Sequence, residues 1–268
     1  MTATPSSSEK LSTGIAGLDT ILGGGLPRNR LYLIQGEPGT GKTTVSLRFL
    51  LEGLRLGQPG LYVTLSETRE ELESVAGSHD WSLDGLTIFE IKAGEEHLKA
   101  EEQYTAFHPS EVELGEKVQS LLDEVDRVKP VRMVIDSLSE MRLLARDPLR
   151  YRRQIAALKQ FFVDRHCTIL FLDDAVAKVG EHPFQTLAHG VLTLERYTPP
   201  YGRERRRLQI SKLRGVAFHG GYHDLAIQKG GMIVYPCLVA ADHRRSFASE
   251  RVASNLPALD ALLGGGIA

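Results

Sequence analysis

The sequence predicts an α/β fold, with a mainly parallel central sheet flanked by helices and an antiparallel extension toward the carboxyl end. Three observations carry this reading. Short apolar runs alternate with helical stretches between Leu31 and Leu172, the order that builds a parallel sheet with crossover helices. A glycine-rich stretch, Gly36 to Thr43, joins one such run to a helix. Beyond Val191 the pattern changes to short strands separated by turns, which suits antiparallel pairing.

Taken in order, Leu31 to Gln35 reads as the first buried strand, followed by the glycine-rich loop and a helix from Lys42 to Leu56. Leu61 to Leu65 is a second strand, Thr68 to Ala76 a charged surface helix and Thr87 to Ile91 a third strand. Gly94 to Ser110 has no clean period and is rich in Glu and His, so it is expected to be a surface loop. A helix over Glu111–Val128 leads to the strand Val131–Ile135. Pro148 suits the first turn of a helix running to Arg165, and Thr168 to Leu172 is the next strand. Val191–Leu194, Arg207–Ser211, Leu225–Gln228 and Met232–Tyr235 supply the antiparallel extension.

The chain has 268 residues, enough for one large domain with a substantial core. A formal net charge of -2 gives no general attraction to nucleic acid or anionic membrane, and no apolar run approaches the roughly 20 residues that span a bilayer. Met1 to Lys10 is small and polar, without the apolar stretch of a secretory signal, and is expected to be a disordered lead-in. Cys167 and Cys237 lie far apart in or beside apolar runs, as reduced thiols do. These features point to the cytoplasm.

A repeat organises the two ends. The segment Leu11–Leu26 returns as Val252–Ile267, with Leu18-Asp19 matching Leu259-Asp260 and Leu22 to Gly25 matching Leu263 to Gly266 at one constant offset. Self-similarity of this kind marks a duplicated unit. The expected organisation is a domain over residues 11–246, followed over 247–268 by a linker and the truncated start of a second copy, so that the chain is part of a longer protein.

Gly36 to Thr43 fits G-x-x-x-x-G-K-S/T in full, between a strand and a helix. A triphosphate needs several backbone N–H donors converging on it, and glycines allow the dihedrals and the close approach. The helix amino terminus adds the positive end of its dipole. Gly36, Gly39, Thr40, Gly41, Lys42, Thr43 and Thr44 are therefore the expected phosphate-binding residues. Lys42 is the mobile cation for the β and γ oxygens, and the Thr43 hydroxyl a Mg²⁺ ligand. Mg²⁺ also needs a carboxylate at a strand end, and Asp136 closes the run from Val131. Glu67, just past the strand at Leu61–Leu65, is the candidate that orients and activates water; as a plain helix-start acid it would be favoured by the dipole instead. Asp173 and Asp174 end the strand at Thr168–Leu172 and read as supporting acids or a sensor of the γ-phosphate.

Together, Thr13 to Gly25, the glycine-rich loop, Tyr62 to Thr68, Ile135 to Ser137 and Lys212 to Gly215 resemble the KaiC circadian-clock ATPase family of the RecA/DnaB-type P-loop group. The resemblance covers essentially the whole chain. It implies a RecA-like core, ATP and Mg²⁺ as ligands, a homo-oligomeric hexameric ring with ATP held between subunits, and clock or signalling proteins as partners. It also implies that Lys212, Leu213 and Arg214 lie at the nucleotide, with Lys212 and Arg214 reaching a neighbour's γ-phosphate, and that Ser78 matches a nucleotide-contacting position. The sequence departs from the family where two adjacent glutamates give way to Ser66-Glu67, which puts the rate of hydrolysis in question. Gln185-Thr186 stands where the family's second domain carries its phosphoacceptor pair. Autophosphorylation is thus not expected within this segment, although Ser/Thr kinase activity fits a full-length protein.

Two other readings stand beside the clock-type regulatory ATPase. A DNA-dependent motor or recombinase shares the core, but its support is thin: some Arg residues and Phe184 in the expected loops Arg142–Arg150 and Lys178–Gln185. A nucleotide-gated scaffold with little turnover is the other. His219 and His223 in a glycine-rich turn read as a loop rather than a metal site, and Trp81 as a packing anchor.

Overall fold

A computed structural model describes residues 9–91, 109–145, 147–163, 165–174, 183–239 and 250–267. The chain divides into two compact units, Met1–Cys237 and Leu238–Ala268.

The first unit is built on a nine-stranded sheet ordered β11-β10-β9-β8-β3-β7-β6-β4-β5. Its parallel half comprises β3 (Leu31–Gly36), β4 (Gly60–Thr64), β5 (Thr87–Glu90), β6 (Arg132–Asp136), β7 (Thr168–Asp173) and β8 (Gly190–Tyr197). The remaining strands, β9 (Arg205–Leu213), β10 (Tyr222–Gln228) and β11 (Gly231–Tyr235), continue it in antiparallel fashion. A separate two-stranded pairing joins β1 (Lys10–Leu11) to β2 (Leu26–Pro27).

Apolar side chains on both faces of the parallel strands explain why helices cover both sides. On one face α1 (Ala16–Ile21), α2 (Lys42–Arg55) and α3 (Arg69–Ser78) pack Leu18, Phe49, Leu50 and Leu72 against Tyr32, Tyr62 and Val134. On the other, α4 (Pro109–Val128), α5 (Leu138–Ala145), α6 (Pro148–Val163) and α7 (Pro183–Leu187) bring Leu121, Met141, Phe162 and Phe184 onto Leu33, Ile135 and Phe171. Such two-sided burial needs near-continuous apolar strands, and β4 and β6 are buried along their whole length.

The predicted α/β architecture is the observed one, including the antiparallel extension. Element ends shift by one to a few residues. Two elements correct the expected loops. Residues from Arg142 belong to α5, and Pro183 to Gln185 open α7. The loop expected over Gly94–Ser110 lies outside the described residues except at its end, where α4 already begins at Pro109. Strands β8 and β9 run well past the predicted apolar cores, because Glu195 and Arg207 pair across them at 2.7 Å.

Within the second unit, α8 (Pro257–Leu262) and a bridge between Val252 and Ile267 reproduce the local build of α1 and the β1–β2 pairing. In both copies a carboxylate (Asp19, Asp260) accepts from the backbone N–H six residues before it, and the same residue's carbonyl accepts from a glycine five residues on at 2.7 Å. Both close on three positive-φ glycines, at 63, 112 and 119° in the first and 70, 112 and 124° in the second. A side chain on the last glycine of either would strike a carbonyl, that of Leu11 at 2.2 Å or of Val252 at 2.6 Å. The sequence repeat is thus a repeat of backbone conformation.

Candidate nucleotide-binding site

The parallel strands order their carboxyl ends as β8, β3, β7, β6, β4, and each of the last four delivers part of the site. Ligands of open α/β sheets bind at this edge. Gly36 closes β3 with no room for a side chain: a Cβ there would lie 2.5 Å from the Leu194 carbonyl oxygen. Gly41 starts α2 at φ 106°, and its Cβ would meet Ile227 and Met232 at 2.6 and 2.7 Å. Gly39 also has positive φ, at 80°. Buried Thr40 closes the turn by donating to the Glu37 carbonyl at 2.8 Å. The loop is therefore held with its glycines where the motif requires them.

Lys42 points its Nζ back over this loop, donating to the Gly36 carbonyl at 2.6 Å and the Glu37 carbonyl at 3.2 Å, and pairing with Asp174 at 2.8 Å. Asp136 ends β6 and is buried; its Oδ2 accepts from the Tyr62 hydroxyl at 2.6 Å. Burial raises the Asp136 carboxyl above the ordinary range, against the Tyr62 hydrogen bond and Lys42, which favour the anion. The Tyr62 hydroxyl also lies near Thr43, so one phenol stands between the two expected metal ligands.

Glu67 follows β4. The Thr64 hydroxyl receives its N–H at 2.9 Å and donates to its carbonyl at 2.7 Å, which fixes the backbone here. One carboxylate oxygen, Oε2, is buried and has no hydrogen-bond partner among the described residues. Burial is the main cause that pushes the Glu67 carboxyl up to about 7; Asp136 and Glu71 add to it and Lys42 opposes. A buried, unpartnered carboxylate oxygen is costly, and such groups concentrate at functional sites.

Sequence reasoning missed several members of this arrangement. Asp173 is held by Ser139 at 2.9 Å and by Arg142 at 2.7 Å, both on α5. Ser139 also accepts from the Asp174 N–H at 3.2 Å. The available signal was Tyr62 itself: a phenol within a buried strand needs a polar partner.

Other expected site residues stand apart from this cluster. Lys212 and Leu213 end β9 and Arg214 follows it; Leu213 pairs with Gly190 at the start of β8, toward the opposite edge of the sheet. Lys212 Nζ donates to the Gln185 carbonyl at 2.6 Å, and Arg214 to the Thr186 carbonyl at 2.8 Å. Ser78 closes α3 with its hydroxyl on the Val75 carbonyl at 2.7 Å, and Thr44 is buried in α2.

Comparison with known proteins now decides the family. The family model described as "ATPase: KaiC" matches residues 11–238. The chain belongs to the KaiC ATPase family. A UPF0273 protein of Pyrococcus furiosus is 31% identical over 241 residues, covering 85% of this chain and 94% of that protein. A circadian clock oscillator protein KaiC of Parasynechococcus marenigrum is 30% identical over 269 residues. That match takes in 96% of this chain but 51% of the relative, so the chain spans about half the length of that KaiC. A crystal structure of a KaiC-like protein from Pyrococcus horikoshii superposes with a TM-score of 0.70, covering 85% of this chain and all of the other at 22% identity, a likeness of fold.

Membership in the KaiC ATPase family implies a nucleotide-binding domain, and the residues present fit that ligand. The glycines leave the anion cradle open, and Lys42 stands over it. Thr43 and Asp136 could supply oxygen donors of the kind Mg²⁺ takes. Among the described residues no helix is long and apolar enough to cross a membrane. His223 lies buried in β10 rather than in the expected loop, accepting from the Cys237 N–H at 2.9 Å and facing the His219 carbonyl at 3.0 Å. Trp81 packs on Gly231, where a Cβ would lie 2.2 Å from its ring. Both cysteines are free, with Cys167 buried and Cys237 half-buried.

Proposed function

We propose that the chain binds ATP with Mg²⁺ at Gly36–Thr43 and hydrolyses it between neighbouring copies of a homo-oligomeric, hexameric ring, in a regulatory role. The observation that carries this reading is the buried, unpartnered Oε2 of Glu67, set among Lys42 and Asp136 at the carboxyl edge of the sheet. The Glu67 carboxylate, with that oxygen free of a hydrogen-bond partner among the described residues, would take a proton from the attacking water. Lys42 and the loop N–H groups would hold the phosphates, and Thr43 and Asp136 the metal. Bound Mg²⁺ would supply charge neutralisation on the phosphoryl oxygens.

The position of Lys212 and Arg214 supports their role in trans. They lie toward the edge opposite their own glycine-rich loop, so they would serve a nucleotide held by another copy. A cation offered there stabilises charge on the transferred group. The regulatory reading draws on relatives named as circadian clock oscillator proteins. The DNA-motor reading loses two of its supports. Phe184 is buried against Phe171 at 4.6 Å, closing it as a stacking platform, and Arg142 is paired with Asp173.

The test is ATP turnover with Mg²⁺ by the parent, Lys42→Ala and Glu67→Gln proteins. Loss of a proton acceptor lowers a rate by about a hundredfold or more, and both variants should fall at least that far. Parent-like turnover by Glu67→Gln would remove Glu67 from the chemistry.

A further inference from the structure

A cavity of about 230 Å³ opens at the amino-terminal ends of the parallel strands, away from the glycine-rich loop. Arg30, Lys159, His189 and Arg214 line it, with Phe162, Leu187 and Cys167 as an apolar floor. Among the described residues, no Asp or Glu lines it. At about 30 Å³ per water molecule, the volume suits one small anion with a few ordered waters.

Three cations, Arg30, Lys159 and Arg214, and the His189 imidazole come from separate segments of the fold. The His189 N–H donates to the Leu31 carbonyl at 2.8 Å, and the Arg214 N–H to the His189 carbonyl at 3.0 Å. The His189 ring stands edge-on to Tyr32 with centroids 5.9 Å apart, and its Nε2 is buried with no partner among the described residues. Arg30 spends one N–H on the Asn29 carbonyl and Arg214 one on Thr186, and a guanidinium carries five. Positive charge and spare donors are thus gathered around one open volume, with the buried nitrogen of the His189 ring behind its wall.

We propose that this cavity is an anion site, distinct from the nucleotide loop, that takes a free oxyanion of the phosphate class. Such an ion offers several acceptor oxygens to the Arg30, Lys159 and Arg214 donors. Without an anion, burial holds His189 below the ordinary imidazole range, and Arg30, Arg214 and Lys212 add to that effect. A bound anion reverses the balance and favours the protonated ring, so affinity increases as pH falls. Arg214 is one of the cations assigned above to a neighbour's nucleotide. An oxyanion in the cavity would therefore retain it in its own subunit, which is how inorganic phosphate, a product of ATP hydrolysis, would restrain the ring.

The site itself requires no turnover, so it is tested apart from the ATPase reading. Inorganic phosphate is titrated calorimetrically, without nucleotide, into the full chain carrying Lys42→Ala. Saturable one-to-one binding is expected. Lys159→Ala and Arg30→Ala, both at the cavity rim, should each weaken it roughly tenfold. Sulfate, whose charge is constant, should bind more tightly at pH 6 than at pH 8, and His189→Phe should flatten that dependence. Absence of saturable binding would overturn the proposal, as would equal binding by the rim variants. Binding present in the parent but lost on Lys42→Ala would place the ion in the nucleotide loop and overturn it too. So would a cavity filled only on self-association, by an acidic side chain of a second copy.

Discussion

At Glu67, burial and two neighbouring carboxylates act in one direction, and the group titrates near 7 rather than at its ordinary 4.5. The folded protein therefore holds that proton more tightly than the unfolded chain does. Stability contributed by this residue is present below about 4.5 and is lost as pH rises through 7. Glu67→Gln should accordingly raise the Tm of the metal-free, nucleotide-free protein at pH 8 and leave it nearly unchanged at pH 4.5. Equal Tm values at pH 8 would show that the carboxylate is not strained. Arg132 is a second residue whose environment is demanding. It is fully buried, with its guanidinium 4.7 Å from the Phe49 ring and bonded to Gln58 and to the Ser12 and Phe49 carbonyls at 2.7–2.8 Å. Arg132→Ala orphans those acceptors and opens a void, and denaturant unfolding should show a loss of about 3–5 kcal/mol. Glu67 and Asp136 were legible in the sequence because each follows a buried strand. The Tyr62 bridge, the Asp174–Lys42 pair and Arg132 were not, since each depends on residues distant in the chain.

Among the elements, those with strong period or clear punctuation could be read directly. α2 starts at a glycine-rich loop, and β4 and β6 are short apolar runs between polar breaks. α5 escaped because only Ser137 separates it from β6, with no glycine or proline to mark the turn. α7 is only five residues long, too short for periodicity to register. The contact between α1 and β11 gives this scale its prediction. A Cβ at Gly17 would sit 1.9 Å from the Val234 carbonyl oxygen, which is backbone and cannot step aside. Gly17→Ala should therefore cost about 1–3 kcal/mol or more, measured by urea unfolding, whereas Gly77→Ala, with open space around the added carbon, should be neutral or slightly stabilising. Comparable losses at both positions would contradict the packing described for α1.

On the scale of the whole molecule, the sheet separates what a nucleotide site needs. The glycine-rich loop, Asp136 and Glu67 lie at one edge, and Lys212 and Arg214 toward the other, where their donors rest on carbonyls of α7. The order of strands was legible as a class, parallel then antiparallel, but which edge carries the basic pair emerges only from the β8–β9 register. A single copy does not place Lys212 and Arg214 against its own loop, so the account requires a second copy. The most direct test mixes two variants, each expected to be inactive alone: Glu67→Gln, and the double substitution Lys212→Ala/Arg214→Ala. If sites form between neighbours, random co-assembly pairs an intact Glu67 with an intact basic pair at about a quarter of the interfaces. ATP turnover by an equal mixture, assembled with nucleotide, should return to roughly a quarter of the parent rate. A mixture as inactive as its components would contradict hydrolysis between subunits.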